Sequence, residues 1–233
     1  MTAPMDLRCY FVTGRPSSGT VEGLRDVVTI AAAAARGGAG VIQLRSKPIN
    51  VRDLTELAIT TAAAVHEANP ATRVLIDDRV DVAVALMPDH HIHGVHIGQD
   101  DLDPRLTRAV LGPEAIIGLT TGTLELVEQA NAYADVIDYI GAGPFRPTPT
   151  KDSGRAPLGL EGYPPLVAAS AVPVVAIGDV RAGDVPALAR TGVAGVALVR
   201  EFMNSTDPQA LAARICSSFD SDATSRLPHS THV

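Results

Sequence analysis

Gly40-Val41-Ile42-Gln43-Leu44 runs directly into Arg45-Ser46-Lys47, and over 51–67 the chain takes on helical character. The first five residues are apolar on both faces apart from one amide, and too few for a helix. Such a run belongs to a parallel sheet covered on both sides. A parallel strand needs a crossover, and the Ala-rich segment that follows supplies one. The same unit recurs along the chain. Strands are expected at 8–12, 40–44, 73–76, 94–97, 115–119, 136–141, 172–177 and 195–199. Helices are expected at 21–36, 51–67, 80–86, 104–111, 124–132, 160–170, 183–191 and 208–218. Eight strand-then-helix units predict an α/β fold, a single (β/α)8 TIM barrel, with chemistry at the strands' C-terminal ends. A doubly wound sheet is the competing architecture, but no GxGxxG follows the first strand.

The barrel is expected over 1–219, and the polar, aperiodic stretch 220–233 reads as a disordered tail. The chain of 233 residues is 46% hydrophobic but holds only 4 Phe, 4 Tyr and no Trp, so small aliphatic side chains must fill the core. A net charge of −7 without any Lys/Arg block argues against nucleic acid as a partner. No apolar run is long enough to span a membrane, and the N-terminus has no signal-peptide pattern, so a cytoplasmic location is expected. Cys9 and Cys216 lack CxxC spacing and read as buried thiols. An apolar patch left exposed on the helices would support a homodimer.

Chemically capable residues cluster just after the strands. Strand two ends in Gln43, Leu44, Arg45, Ser46 and Lys47, strand three in Asp77-Asp78-Arg79, and strand four in Gly98-Gln99-Asp100-Asp101. Strand five gives Thr120-Thr121-Gly122, strand seven Gly178-Asp179, and strand eight Val199 and Arg200. Strand six leads into Gly143-Pro144-Phe145-Arg146-Pro147-Thr148-Pro149-Thr150-Lys151. Prolines that fix φ, two hydroxyls and an ammonium suit a loop that grips phosphate or diphosphate. Singly, each charge is ordinary for a solvated loop or a helix cap; Asp100, Asp101 and Asp103 all precede a helix. A barrel makes them converge on one mouth.

Taken in order, QLRxK, DDRxDxA, GVHxGQxDL, TPTK, AIG and GVAxV resemble the thiamine phosphate synthase family, from strand one to the last helix. The resemblance implies a Mg²⁺-dependent transferase. It would join 4-amino-2-methyl-5-hydroxymethylpyrimidine diphosphate to a thiazole phosphate, giving thiamine phosphate and diphosphate. By position, Gln43 to Lys47 and Asp77 would contact the pyrimidine diphosphate. Arg45, Lys47 and Lys151 would supply the catalytic positive charge, and Asp78 and Asp101 the magnesium carboxylates. Thr120 replaces a serine that contacts the diphosphate. Thr148, Pro149, Thr150, Asp179, Val199 and Arg200 fall on the thiazole phosphate side. Breaking the C–O bond to diphosphate builds negative charge that Mg²⁺ and these cations would stabilise, and no enzyme nucleophile is needed.

Several positions depart from the family pattern. Asp77 stands for a usual Asn, Gly122 for a common His, and the segment Met87 to His93 is longer by about four residues. Asp179 replaces the second glycine of AIGG, and Arg200 replaces a serine. Asp179 and Arg200 either compensate one another in an ordinary synthase, or mark an acceptor side that has drifted. The alternatives are a tautomerase-like isomerase and a non-catalytic binder of thiamine precursors. His90, His91, His93 and His96 lack the acidic or cysteine partners of a zinc site.

Overall fold

The computed structural model describes residues 5–14, 21–147 and 154–225. Eight parallel strands close a barrel in chain order. They are β1 (Cys9–Val12), β2 (Val41–Leu44), β3 (Arg73–Asp77), β4 (Gly94–Ile97), β5 (Ile116–Thr121), β6 (Tyr139–Ala142), β7 (Val174–Ala176) and β8 (Gly195–Leu198). The helices around them are α1 (Val21–Arg36), α2 (Val51–Ala68), α3 (Val80–Leu86), α4 (Pro104–Leu111), α5 (Leu124–Ala130), α6 (Tyr163–Ala169) and α7 (Val185–Arg190). After β8 come the one-turn α8 (Arg200–Met203) and the long α9 (Pro208–Ser225). None of the described helices is long and apolar enough to cross a membrane.

Three details differ from the sequence expectation. β6 starts at Tyr139 rather than 136, because Val136 and Ile137 are tied by their N–H groups to the carbonyl of Tyr133 in a turn. Both are apolar and packed, so a hydrophobic run could not mark the boundary. α8 was not expected, since one helical turn carries no periodicity. Phe202 on that turn packs at a tilt against Phe11 of β1 with ring centroids 4.8 Å apart, which pins it to the barrel. Finally, α9 continues to Ser225, into the stretch expected to lack structure, and Asp220 pairs with Arg8 below β1. Residues 226–233 lie outside the described set.

Strand alternation sorts the barrel into two cores. Outward-facing Phe11, Ile42, Leu44, Ile76, Val95, Ile117, Ile140 and Leu198 pack beneath the helices. Inside the barrel lie Tyr10, Val12, Val41, Leu75, Tyr139, Val175 and Ala197. Two tyrosines fill the centre, edge to face at 5.8 Å, where aliphatic side chains were expected to do all the filling. Next along the inward-facing positions are Gln43, Asp77, His96 and Thr120, and all four reach the floor of a cavity. Cys9 and Cys216 are free and buried, with Cys216 Sγ donating to the Gly38 carbonyl at 3.3 Å.

Candidate active site

The C-terminal mouth of the barrel opens into a cavity of about 610 Å³, large enough for a substrate-sized ligand. Gln43, Arg45, Asp77, His96, Thr120, Asp179, Val199 and Arg200 line it. Lys47, Asp78 and Asp101 stand on its rim, after β2, β3 and β4.

The β2 end is shaped by a lock to β1. Thr13 Oγ1 accepts from the Arg45 N–H at 2.9 Å and lies 2.9 Å from Ser46 Oγ. Ser46 is buried, sits at φ 25°, and donates to the Gly14 carbonyl at 3.1 Å. Its hydroxyl therefore holds the loop. Leu44 turns into the outer core, which leaves only its backbone for a ligand. The consequence is that Arg45 and Lys47 are held at the mouth.

Both cations meet carboxylates there. Lys47 Nζ is 2.8 Å from Asp77 Oδ2 and also contacts Asp78; Arg45 Nε is 3.7 Å from the same Asp77 oxygen. Despite these two cations, Asp77 Oδ2 accepts no well-directed hydrogen bond. Burial and the charge of Asp78 push the Asp77 carboxyl up, against the pull of Lys47 and Arg45. Burial pulls the Lys47 ammonium down, but its close contacts with the two aspartates outweigh that and leave it raised.

Across the β3–β4 gap, Asp101 Oδ2 accepts from the Gly98 N–H at 2.6 Å and the carboxyl lies within hydrogen-bonding range of Asp78. Burial raises Asp101, the Gly98 bond lowers it, and the facing Asp78 raises it again, for a net upward shift. Asp78 itself sits at φ 60°, a left-handed conformation that aims its carboxylate along the rim. The cap role belongs to Asp103, whose Oδ1 accepts from Arg105 and Leu106 at the start of α4. Two carboxylates forced together are what a hard cation relieves. Mg²⁺ typically takes one or two carboxylates and completes its shell with phosphate oxygens and water, so this donor pair fits it.

The opposite rim is built differently. Asp179, at φ 56° after β7, is paired with Arg200 at the start of α8, and Arg181 lies 3.7 Å away. Arg146 donates to the Asp179 carbonyl at 3.1 Å and to Asp184 Oδ2 at 2.6 Å. The Phe145 N–H bonds the Ile177 carbonyl at 2.8 Å, so the start of the β6 loop is sewn to the end of β7. That loop was expected to carry Thr148, Pro149, Thr150 and Lys151, which lie outside the described residues. Gly122 has a steric reason: at φ 152° any Cβ would come 2.1 Å from the Gly143 carbonyl oxygen. Arg155 reaches over from beyond the loop to the Thr121 carbonyl at 3.1 Å.

Sequence reasoning brought the β2, β3, β4, β5, β7 and β8 residues to one mouth, as observed. It missed Tyr10 and Tyr139 beneath the cavity, and Arg155 and Arg181 in its wall. Inward alternation in β1 and β6 was the available signal for the tyrosines. Of the histidines, His66 and His91 stack at 3.7 Å with His93 near both, His93 accepts from the Val74 N–H, and His96 sits inside the barrel.

A family model described as thiamine monophosphate synthase matches residues 9–202. The thiamine-phosphate synthase of Corynebacterium jeikeium is 71% identical over 219 residues, covering 94% of this chain and 97% of the relative. That of Corynebacterium efficiens is 58% identical, covering 92% and 95%. Among solved structures, the thiamine phosphate pyrophosphorylase of Pyrococcus furiosus superposes with a TM-score of 0.76 at 27% identity, covering 93% of this chain and 98% of that one.

Proposed function

The chain belongs to the thiamine monophosphate synthase family, and from that premise we propose that it is a transferase. It joins 4-amino-2-methyl-5-hydroxymethylpyrimidine diphosphate to a thiazole phosphate and releases thiamine phosphate and diphosphate. The observation that carries this reading is the joint arrival of Arg45, Lys47, Asp77, Asp78 and Asp101 at one side of the mouth. Arg45 and Lys47 present positive charge to the departing diphosphate. Asp77 and Asp78 hold the Lys47 ammonium in place, so little reorganisation is needed as charge develops. Asp78 and Asp101 would hold Mg²⁺, which when bound supplies further charge neutralisation to the diphosphate. The barrel wall holds the acceptor nitrogen close to the pyrimidine methylene, and positioning supplies much of the remaining acceleration.

Lys151, Thr148 and Thr150 complete the reading, with Lys151 toward the diphosphate and the threonines toward the thiazole phosphate. On that acceptor side the Asp179–Arg200 pair supports compensation: the carboxylate that would repel phosphate is already neutralised. The relatives of high identity are named synthases, which disfavours the isomerase and passive-binder alternatives. Leu102, Leu106 and Val110 form an exposed apolar stripe at α4, the face a second copy would cover in a cytoplasmic homodimer. The test is to mix the purified protein with both substrates and Mg²⁺ and measure thiamine phosphate. Stoichiometric thiamine phosphate and diphosphate are expected; no condensation product would overturn the assignment.

A further inference from the structure

Below the cavity, one residue from each of six strands joins in a continuous hydrogen-bonded chain. Gln43 Nε2 donates to Asp77 Oδ1 at 2.6 Å, and the Tyr10 hydroxyl donates to Gln43 Oε1 at 3.1 Å. The Tyr10 and Tyr139 hydroxyls are 2.7 Å apart. His96 Nδ1 lies 2.9 Å from the Tyr139 hydroxyl, and its Nε2 lies 2.9 Å from Thr120 Oγ1. Gly118 makes the junction possible: a Cβ there would come 2.3 Å from the Tyr139 hydroxyl and 2.5 Å from His96 Nδ1.

Counting protons fixes the direction of the chain. The Gln43 amide nitrogen faces Asp77 Oδ1, so its Oε1 faces Tyr10 and can only accept. Each phenol has one proton, and burial holds both phenols well above their ordinary range. Tyr10 gives its proton to Gln43, so it accepts from Tyr139; Tyr139 then accepts from His96 Nδ1–H. A neutral imidazole has one ring proton, which leaves Nε2 as an acceptor for the Thr120 hydroxyl. Two consequences reach the cavity. Thr120 presents lone pairs to it, which leaves its hydroxyl no proton for the diphosphate contact the resemblance implied, and Gln43 keeps its second N–H to donate.

We infer that Tyr10, Tyr139 and His96 are positioning residues that set Gln43 as a donor and Thr120 as an acceptor, so that the site selects an amino-substituted pyrimidine over its oxo analogue. This rests on the synthase reading. An aminopyrimidine offers ring nitrogens that accept and an exocyclic amino group that donates. The oxo analogue has a carbonyl in place of the amino group and a proton on the ring, which inverts the pattern. A site of fixed polarity leaves buried groups unpaired against the wrong form.

Two measurements test it. In the free wild-type protein, ¹⁵N chemical shifts of His96 should show a protonated Nδ1 and an unprotonated Nε2; the opposite tautomer would overturn the inference whether or not the protein is a synthase. Tyr139→Phe removes one hydroxyl and frees the Nδ1 proton to move to Nε2, which would turn the Thr120 proton into the cavity. The ratio of kcat/KM for the amino over the oxo donor should fall by about tenfold or more. An unchanged ratio in a variant that melts like wild type would refute the inference. If wild type forms no thiamine phosphate, the synthase reading fails, and the tautomer measurement still decides the polarity of the chain.

Discussion

Asp101 and Asp179 are the same residue type, each set just beyond a strand of the same barrel mouth, in opposite surroundings. Asp101 faces another carboxylate, Asp78, and is pushed up by burial and by that neighbour. Asp179 faces Arg200 and Arg181 and is neutralised within the chain. The β2–β4 rim sets three carboxylates against the two cations Arg45 and Lys47, an excess of negative charge that a further cation would relieve, while Asp179 on the β7–β8 rim is already paired. On the proposed reading, a metal-assisted leaving group would sit at the first rim and a metal-independent anion acceptor at the second.

Replacing Asp101 with Ala should break the first rim with the largest effect, lowering kcat by roughly a hundredfold or more, while thermal stability changes little. A passive binder would lose only affinity, so a variant with intact turnover would remove the metal role from this rim. Replacing Arg200 with Ala leaves the Asp179 carboxylate facing the acceptor phosphate. The KM for thiazole phosphate should rise about tenfold with the KM for the pyrimidine diphosphate unchanged; an equal rise in both would erase the distinction between the rims.

The smallest effect lies at the opposite end of the barrel and serves as a control. Burial, with Arg73 nearby, depresses His93 to about 4, and its Nδ1 accepts from the Val74 N–H. The folded state therefore favours the neutral ring, and the unfolded chain takes up the proton first. Stability from this group is full above pH 6.5 and is lost as pH falls toward 4. Discounted for solvent screening, the loss is about 1 kcal/mol. Urea midpoints from pH 7 to pH 4 should fall less steeply in His93→Asn than in wild type, with turnover at pH 7 unaffected in either rim.

The fold was legible because near-continuous apolar strands and Ala-rich helices repeat with one period. The misplaced boundaries have a physical cause: buried turn residues such as Val136 and Ile137 are as apolar as strand residues. Most of the rim was legible too, because each charged residue directly follows a strand. The proton-ordered chain was not. Tyr10 and Tyr139 read as ordinary members of apolar strands, and their contact across the barrel depends on closure and on the gap left by Gly118. Nor could the sequence show that Asp179 meets Arg200. That needed the left-handed turn that brings its carboxylate there.

The division between the two rims is tested most directly by calorimetric titration of each substrate with and without Mg²⁺. Mg²⁺ should tighten binding of the pyrimidine diphosphate in wild type, lose that effect in Asp101→Ala, and leave thiazole phosphate binding unchanged in both. Tightening of thiazole phosphate by Mg²⁺, or an undiminished effect on the diphosphate in Asp101→Ala, would contradict it.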